Sequence, residues 1–537
     1  MKKIAKLIAG VSAVSLLAAS FAGCGKDEST TQTQPLKYWT VMDAASAQTL
    51  TSYSEMLLYR EMEKATGIKV EFIHPIAGST GSEAFNTMLA SGELPDMIEH
   101  DWSNYAGGAE AAIEDGVIIA LNDYLEEYAP NYHSYVAGEK NKANNNLYKA
   151  ETMTDSGKYY GFRSLSIGNC RGFAGLILRA DLLRKWGMEV PETIDDWEKV
   201  FAKAKQEGYT KPFTCYSNPL SISKGNHTFN TAYDVGKVTY VEDGKVVHAL
   251  LQPGYREFTA KLAEWVQKGY IDRNFVTNAS TDCEGNMTQE GVSVATFGWI
   301  GSLMGKLLPA MEERNPEYDL VACPYPVMNK GDKCEWQEYQ GEARRPEIAV
   351  TTDCSDIKSA MNWCDYLYSD EGSTLRTFGI EGDTYTIEEI DGEKHFIYTD
   401  KIQKPETSGT SSVNAALYKF FRPANAPGLN QHPDYLNGYY TYQSQKDALV
   451  TWNANIEGAK EHALPSLTYT TEESAEMAAL NQQYASATDT AINEIIMGNR
   501  SIDEFDTIAS DAEKNYLGRI VEIQNAAYQR YLKKLEN

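Results

Sequence analysis

Apolar and polar positions follow two rhythms along this chain, and the rhythms take turns. The run Leu36-Lys-Tyr-Trp-Thr-Val41 reads as a strand. Residues 55–65 then carry apolar side chains at helical spacing and run into Gly67, the residue type that closes a helix in the left-handed conformation. Ile68-Lys-Val-Glu-Phe-Ile73 alternates as a second strand, residues 83–91 form a helix stopped by Gly92, and Pro95-Asp-Met-Ile-Glu99 is a short buried strand. Strand, helix, strand, helix, strand within about 65 residues predicts a mostly parallel α/β sheet.

A second set of signals begins near Tyr160. Residues 173–179 (FAGLILR) form an apolar strand, and residues 180–186 a helix ended by Gly187. Thr193 caps a helix whose apolar stripe is Ile194, Trp197, Val200, Phe201 and Ala204, with Asp195 and Asp196 in the first turn where the helix dipole favours negative charge. Near the carboxyl terminus Gly498 ends one helix, Ser501-Ile-Asp-Glu504 is a capping box opening the next, and residues 517–535 form a long amphipathic helix.

Length and composition add bounds. A chain of 537 residues exceeds one ordinary domain, and 42% apolar with 11% aromatic residues supports packed cores. The formal charge is −26, and the three lysines of the first 23 residues deepen it to −29 for the remainder. Such a surface repels a phosphate backbone and disfavours nucleic acid and anionic ligands. Those lysines, Lys2, Lys3 and Lys6, precede an apolar run from Leu7 to Phe21, too short to span a bilayer and read as a secretory leader over residues 1–23. Phe21-Ala-Gly-Cys24 resembles a bacterial lipobox, with Phe21 departing from the usual Leu. Cys24 is thus the expected lipidation site, and residues 24–35 are a polar tether. The other seven cysteines suggest no disulfide framework or zinc site, although a Cys323–Cys334 pair is open.

Catalytic motifs are thin. Gly301-Ser-Leu-Met-Gly-Lys306 lacks the spacing and hydroxyl ligand of a phosphate loop, and Gly168-Asn-Cys-Arg-Gly172 mimics a nucleophile elbow without a placed histidine. No histidine pair has metal spacing. No metal and no cofactor are expected, although a glycosidase carboxylate pair can lie far apart in sequence.

The order of short motifs resembles that of the family 1 extracellular solute-binding proteins, in particular the large lipoprotein branch that serves oligosaccharide importers in Gram-positive bacteria. The motifs are Ala90-Ser-Gly-Glu-Leu-Pro-Asp-Met-Ile98, the stretch from Arg179 through Pro191-Glu-Thr193 to Trp197, and Met287 to Trp299. The stretch from Asp365 through Gly372 to Gly382 and the capping box at Ser501 complete the set. The resemblance implies a two-lobed α/β periplasmic-binding-protein-like fold, hinged lobes closing over a ligand in the cleft between them. Residues 36–162 plus about 326–372 are expected in the first lobe, and about 163–325 plus 373–537 in the second. Crossovers are expected near residues 162–171, near 323–326 and after Gly372. The implied activity is capture of a carbohydrate by a monomer held through Cys24 to the outer membrane face, and delivery to the permease of an ABC importer, with no reaction catalysed. Peptide or cationic-solute binding and a surface-anchored glycoside hydrolase are the alternatives.

Neutral sugar recognition combines flat aromatic platforms with carboxylates, amides and arginines. In open α/β sheets the site lies beyond the carboxyl ends of strands. That rule selects Trp39 and Asp43 after the first strand, Asp101 and Trp102 after residues 95–99, Arg163 in the crossover and Trp299 after residues 295–297. Flanking Gly298 and Gly301 are read as room for a ligand. Arg345 and Glu347 near a later crossover, with Trp452 and Asn453, complete the set, while Trp197 and Trp363 read as core.

Overall fold

The computed structural model describes residues 34–75, 80–216, 220–221, 224–390 and 392–536, so the leader, Cys24 and nearly all of the tether lie outside the described residues. Fourteen strands are described. The first lobe is built on a six-stranded sheet. Its strands are β1 (Leu36–Trp39), β2 (Val70–Ile73), β3 (Met97–His100), β4 (Phe162–Ser166), β11 (Ala343–Val350) and β14 (Gly428–Asn430), in the order β14-β4-β11-β3-β1-β2. The second lobe holds a four-stranded sheet of β5 (Ala174–Arg179), β6 (Phe213–Thr214), β9 (Ala295–Trp299) and β10 (Leu320–Ala322), in the order β10-β5-β9-β6. Two hairpins, β7 (Thr239–Glu242) with β8 (Lys245–His248) and β12 (Tyr385–Ile390) with β13 (Glu393–Tyr398), complete the count.

β1, β2 and β3 run parallel, as their helical connections require, and β11 returns antiparallel between β3 and β4. Their alternation splits the first sheet's side chains between two faces. Tyr38, Met97 and Ile348 enter one core, while Trp39, Ile98, Trp102 and Ala349 enter the other. The expected stripe of Ile194, Trp197, Val200, Phe201 and Ala204 is buried against the second sheet, behind a capping box at Thr193 and Asp196.

The chain passes between the sheets from β4 to β5 and from β10 to β11. It passes again after β14, whose following segment leads to the helix Gln443–Trp452 packed on β10. One expectation is corrected here. Residues 373–429 were placed with the second lobe, yet Phe378, Tyr385, Ile402, Leu417, Phe421 and Leu429 share the core of the first sheet. Two interactions draw them there. β14 pairs in parallel with β4, and Arg422 pairs with the buried Glu99 of β3. The second core closes only with residues near the carboxyl terminus, among them Ile492, Leu517, Ile520 and Ile523. The last helix, Gly518–Glu536, then continues to Ala527 and Tyr531, which pack with Ala150 of the first lobe.

Seven cysteines are free in the structure, Cys323 and Cys334 among them, so the open pairing is not formed. No helix among the described residues is long and apolar enough to cross a membrane.

Trp452 is wholly buried, where the sequence reading gave it to the ligand. Its indole lies on Gly175 of β5, where a Cβ would come within 2.6 Å of the ring, and its Nε1 donates to the Cys323 carbonyl at 2.8 Å. Trp452→Ala is therefore expected to lower stability by about 3–5 kcal/mol, read as the midpoint of chemical denaturation. Val450→Ala, on the exposed side of the same helix, should move it by less than about 0.5 kcal/mol.

Candidate functional site: the carboxyl edge of the first sheet

β1 and β3 end at one edge of the first sheet, where the sequence places carboxylates. On one face of that edge, the Asp101 side chain caps the turn Trp102–Asn104, accepting from the Ser103 backbone N–H at 3.1 Å and hydroxyl at 2.6 Å. Arg345 stands where the register of β11 against β4 shifts, between Arg344 and Glu347, and its Nη1 donates to Asp101 Oδ1 at 3.0 Å. Such irregularities re-aim a side chain out of the strand's alternation. Glu347 is fully buried and pairs with Arg163 at 2.6 Å, accepts from Tyr160 Oη at 3.1 Å and receives the Trp102 N–H at 3.4 Å. Arg163 also donates to Tyr160 Oη and to Ser466 Oγ, the latter at 3.4 Å. The charges balance, two arginines against two carboxylates. Burial would raise the Asp101 carboxyl, but the Arg345 charge and the bonds from Ser103 and Arg345 hold it below the usual carboxylate range.

This network forms the floor of a pocket of about 460 Å³ between the lobes. Ser103, Asn104, Tyr160 and Arg345 line it from the first lobe. Residues 466–469 and the helices Thr471–Tyr484 and Gly518–Glu536 close it from the other side, presenting Tyr469, Asn481 and Gln524 among others. The charged side chains on its wall already have partners: Arg345 has Asp101, and Glu110 has Lys158. What remains is hydroxyls, amides and tyrosine rings interleaved with Leu467, Met477 and small apolar residues.

A second charge network occupies the opposite face of the same edge. Glu99 is buried and receives both Nη atoms of Arg422, at 2.7 and 3.0 Å, with the Tyr38 hydroxyl at 2.5 Å and that of Thr40 at 3.1 Å. Asp43, half-buried, accepts from the Tyr53 hydroxyl at 2.7 Å and from Arg422 Nε at 3.3 Å. Burial opposes ionisation of Glu99, yet the Arg422 charge and bonds keep its carboxyl below the ordinary range.

Five of the ten residues selected from sequence thus meet in one network: Asp101, Trp102, Arg163, Arg345 and Glu347. Only Arg345 among them lines the pocket. Asp43 lies in the second network. Trp39 and Trp102 are packed in the core beside Phe85, whose ring centroid lies 6.1 and 5.5 Å from theirs, so they support the edge instead of facing the cleft. Asn453 staples a crossing segment, its Oδ1 accepting from the Arg171 and Gly172 N–H groups at 2.8 and 2.9 Å. Trp299 is half-buried at the carboxyl end of β9. Its flanking glycines answer to protein packing: a Cβ on Gly298 would strike the Leu303 side chain, and one on Gly301 the Tyr439 hydroxyl, each at 2.2 Å. Among the described residues no group of histidine, cysteine and carboxylate side chains could hold a metal ion.

With this edge and its two lobes in view, the lineage is plain. The model of the bacterial extracellular solute-binding proteins matches residues 45–374, and the chain belongs to that family. It is 26% identical over 362 residues to the fructooligosaccharide ABC transporter substrate-binding protein FusA of Streptococcus pneumoniae, an alignment covering 64% of this chain and 63% of that relative. It is 22% identical over 395 residues to lipoprotein LipO of Bacillus subtilis, covering 70% and 73%. A solute-binding protein associated with an HMO-binding ABC transporter of Bifidobacterium longum infantis superposes with a TM-score of 0.70 at 17% identity, over 93% of this chain and 99% of that one. The fold is the two-lobed one of these proteins.

The segment 464–467 separates the pocket from a second cavity of about 430 Å³, which shares Arg345 and Ser466 and is also lined by Glu151, Tyr339 and Tyr531. Glu151 is buried there, accepting the Ala343 N–H at 2.6 Å. Burial, against the help of that bond, and then the neighbouring Glu342 charge push its carboxyl up to about 7. A carboxyl raised on folding costs stability as pH rises from its unfolded value, near 4.3, through 7. Glu151→Gln is therefore expected to be neutral at pH 4 and to stabilise by up to about 3 kcal/mol at pH 8. Denaturant titrations of both proteins at the two pH values measure this.

Proposed function

We propose that this protein captures a neutral oligosaccharide between its lobes and delivers it, unmodified, to an ABC-type importer. The observation that carries this reading is the inter-lobe pocket, whose wall mixes hydroxyls, amides and tyrosines with apolar patches at Leu467 and Met477 and whose charges are already paired. A sugar offers many hydroxyls and no charge, so it satisfies such a wall without desolvating an unmatched ion. Its volume of about 460 Å³ lies in the range of small-ligand sites. The name of FusA, a fructooligosaccharide binder, points the same way.

The same electrostatics support binding without turnover. Glycoside cleavage needs one protonated carboxyl beside one ionised carboxylate. Burial alone would raise Glu110, but bonds from Lys158, Ser156 and Thr154 depress it, and Asp101 is likewise depressed. Both are thus held toward the ionised form, which supports a binding role over proton donation. The protein's work is then closure: sugar contacts from both lobes favour the closed state over the open one. On the second lobe we assign the platform to Trp299, the half-buried indole at the end of β9.

The leader and Cys24 complete the reading. Removal of residues 1–23 and acylation of Cys24 would hold the protein at the outer face of the membrane, in keeping with the lipoprotein name of LipO.

Calorimetry against a panel of neutral oligosaccharides, uronates and short peptides tests the ligand. Saturable binding of a neutral sugar is expected, with no product on chromatography; binding of peptides alone, or turnover, overturns the proposal. Trp299→Ala should weaken sugar binding about tenfold, while Trp299→Phe, which keeps a ring, loses less. In cells fed labelled palmitate, Cys24→Ser is expected to abolish labelling and release the protein into the medium.

A further inference from the structure

Three guanidinium groups crowd the segment 423–427, which precedes β14. Arg376, 4% exposed, donates from Nη2 to the carbonyls of Pro423 and Ala426, at 2.9 and 2.7 Å, and from Nε to that of Pro427 at 3.0 Å. Arg344 reaches the next carbonyl, Ala424, at 2.7 Å. Neither has a carboxylate partner among the described residues. Arg422 begins the same segment and is shared between Glu99 and Asp43. The region therefore holds three buried or nearly buried cations against two carboxylates.

Beside Arg376 and Arg422, with Arg344 behind its wall at Ala424, lies a cavity of about 20 Å³, lined also by Tyr418, Asn430, Gln431 and Tyr435 among others. We propose that it binds one small anion of halide size. The volume admits a single atom or one water and is too small for a sugar carboxylate or a phosphate. The wall supplies donors. The hydroxyls of Tyr418 and Tyr435 make no hydrogen bond to protein among the described residues, and the Gln431 amide spends its oxygen on Arg171 at 3.3 Å, leaving its NH₂ available. An anion would balance the third positive charge, which a water cannot do. Burial, and then the charges of neighbouring arginines, depress both Arg376 and Arg344 to about 10, the strain that a bound negative charge would relieve. Water is the competing occupant, since it could also donate to the unsatisfied Asn430 Oδ1.

Crystals of the mature protein soaked in sodium bromide test this directly. An anomalous difference peak is expected between Arg376 and the two tyrosine hydroxyls, replacing density that chloride gives in its absence. In solution, sodium bromide or chloride should raise the melting temperature saturably, by about 2 °C, over potassium gluconate at equal ionic strength. The double variant Tyr418→Phe/Tyr435→Phe, which keeps both rings, should weaken the halide midpoint at least threefold and leave the gluconate melting temperature nearly unchanged. No anomalous peak, with identical melting in halide and gluconate, overturns the proposal and leaves water as the occupant. Because neither readout uses sugar, the outcome is independent of the proposed carbohydrate function.

Discussion

Two buried carboxylates at the end of the first sheet, Glu99 and Glu347, set the terms for much of what surrounds them. Each is out of water, and an unpaired ion there would cost several kcal/mol. Each is answered from far along the chain, Glu99 by Arg422 and Glu347 by Arg163. Because neighbouring strands present Glu99 and Glu347 to opposite faces, the sheet edge is clamped on both sides. The clamps fix the ends of β1 and β3, and thus the turn at Asp101 from which the pocket wall is built. Binding sites gain affinity when such groups are held before the ligand arrives, since less order is then lost on association.

The same arrangement explains what the sequence could and could not convey. The strands at 36–39, 70–73 and 97–100 and the stripe through Trp197 follow from local periodicity, which needs no tertiary information. The rule placing ligands beyond strand ends leads to Asp101, at the turn after β3, while Arg345 and Glu347, read from a later crossover, lie within β11 and join Asp101 in one network. The rule fails for Trp39 and Trp102, as the crossover reading does for Trp452. Trp39, Trp102 and Trp452 sit at strand or helix ends, as a platform would, but their large apolar area is satisfied by Phe85, Gly175 and neighbours brought in by other segments. A single sequence does not distinguish an indole that closes a core from one that greets a sugar. Arg422 and the wall residues Tyr469, Asn481 and Gln524 carried no local signal, since their roles arise only when residues hundreds of positions apart meet.

The misplacement of residues 373–429 has the same origin. Their allegiance to the first sheet rests on a three-residue strand and on the pairing of Arg422 with Glu99. A strand that short has no periodicity to read, and residue type does not say which distant carboxylate an arginine will meet. The crossing segments are similarly hidden: Asn453 bonds to backbone groups of Arg171 and Gly172, and any residue could offer those. Where neutral backbone atoms hold the lobes in register, periodicity is silent.

The interleaving of the two cores bears on how the chain acquires its shape. The first core lacks Leu429, and the second lacks Ile520 and Ile523, until those late segments emerge. The second lobe therefore cannot close its core before the last helix is made, whereas the first needs the chain only as far as β14, and pairings of high sequence separation form slowly. Completion of the second lobe thus waits on the carboxyl-terminal helix, long after every residue of the first core has been made.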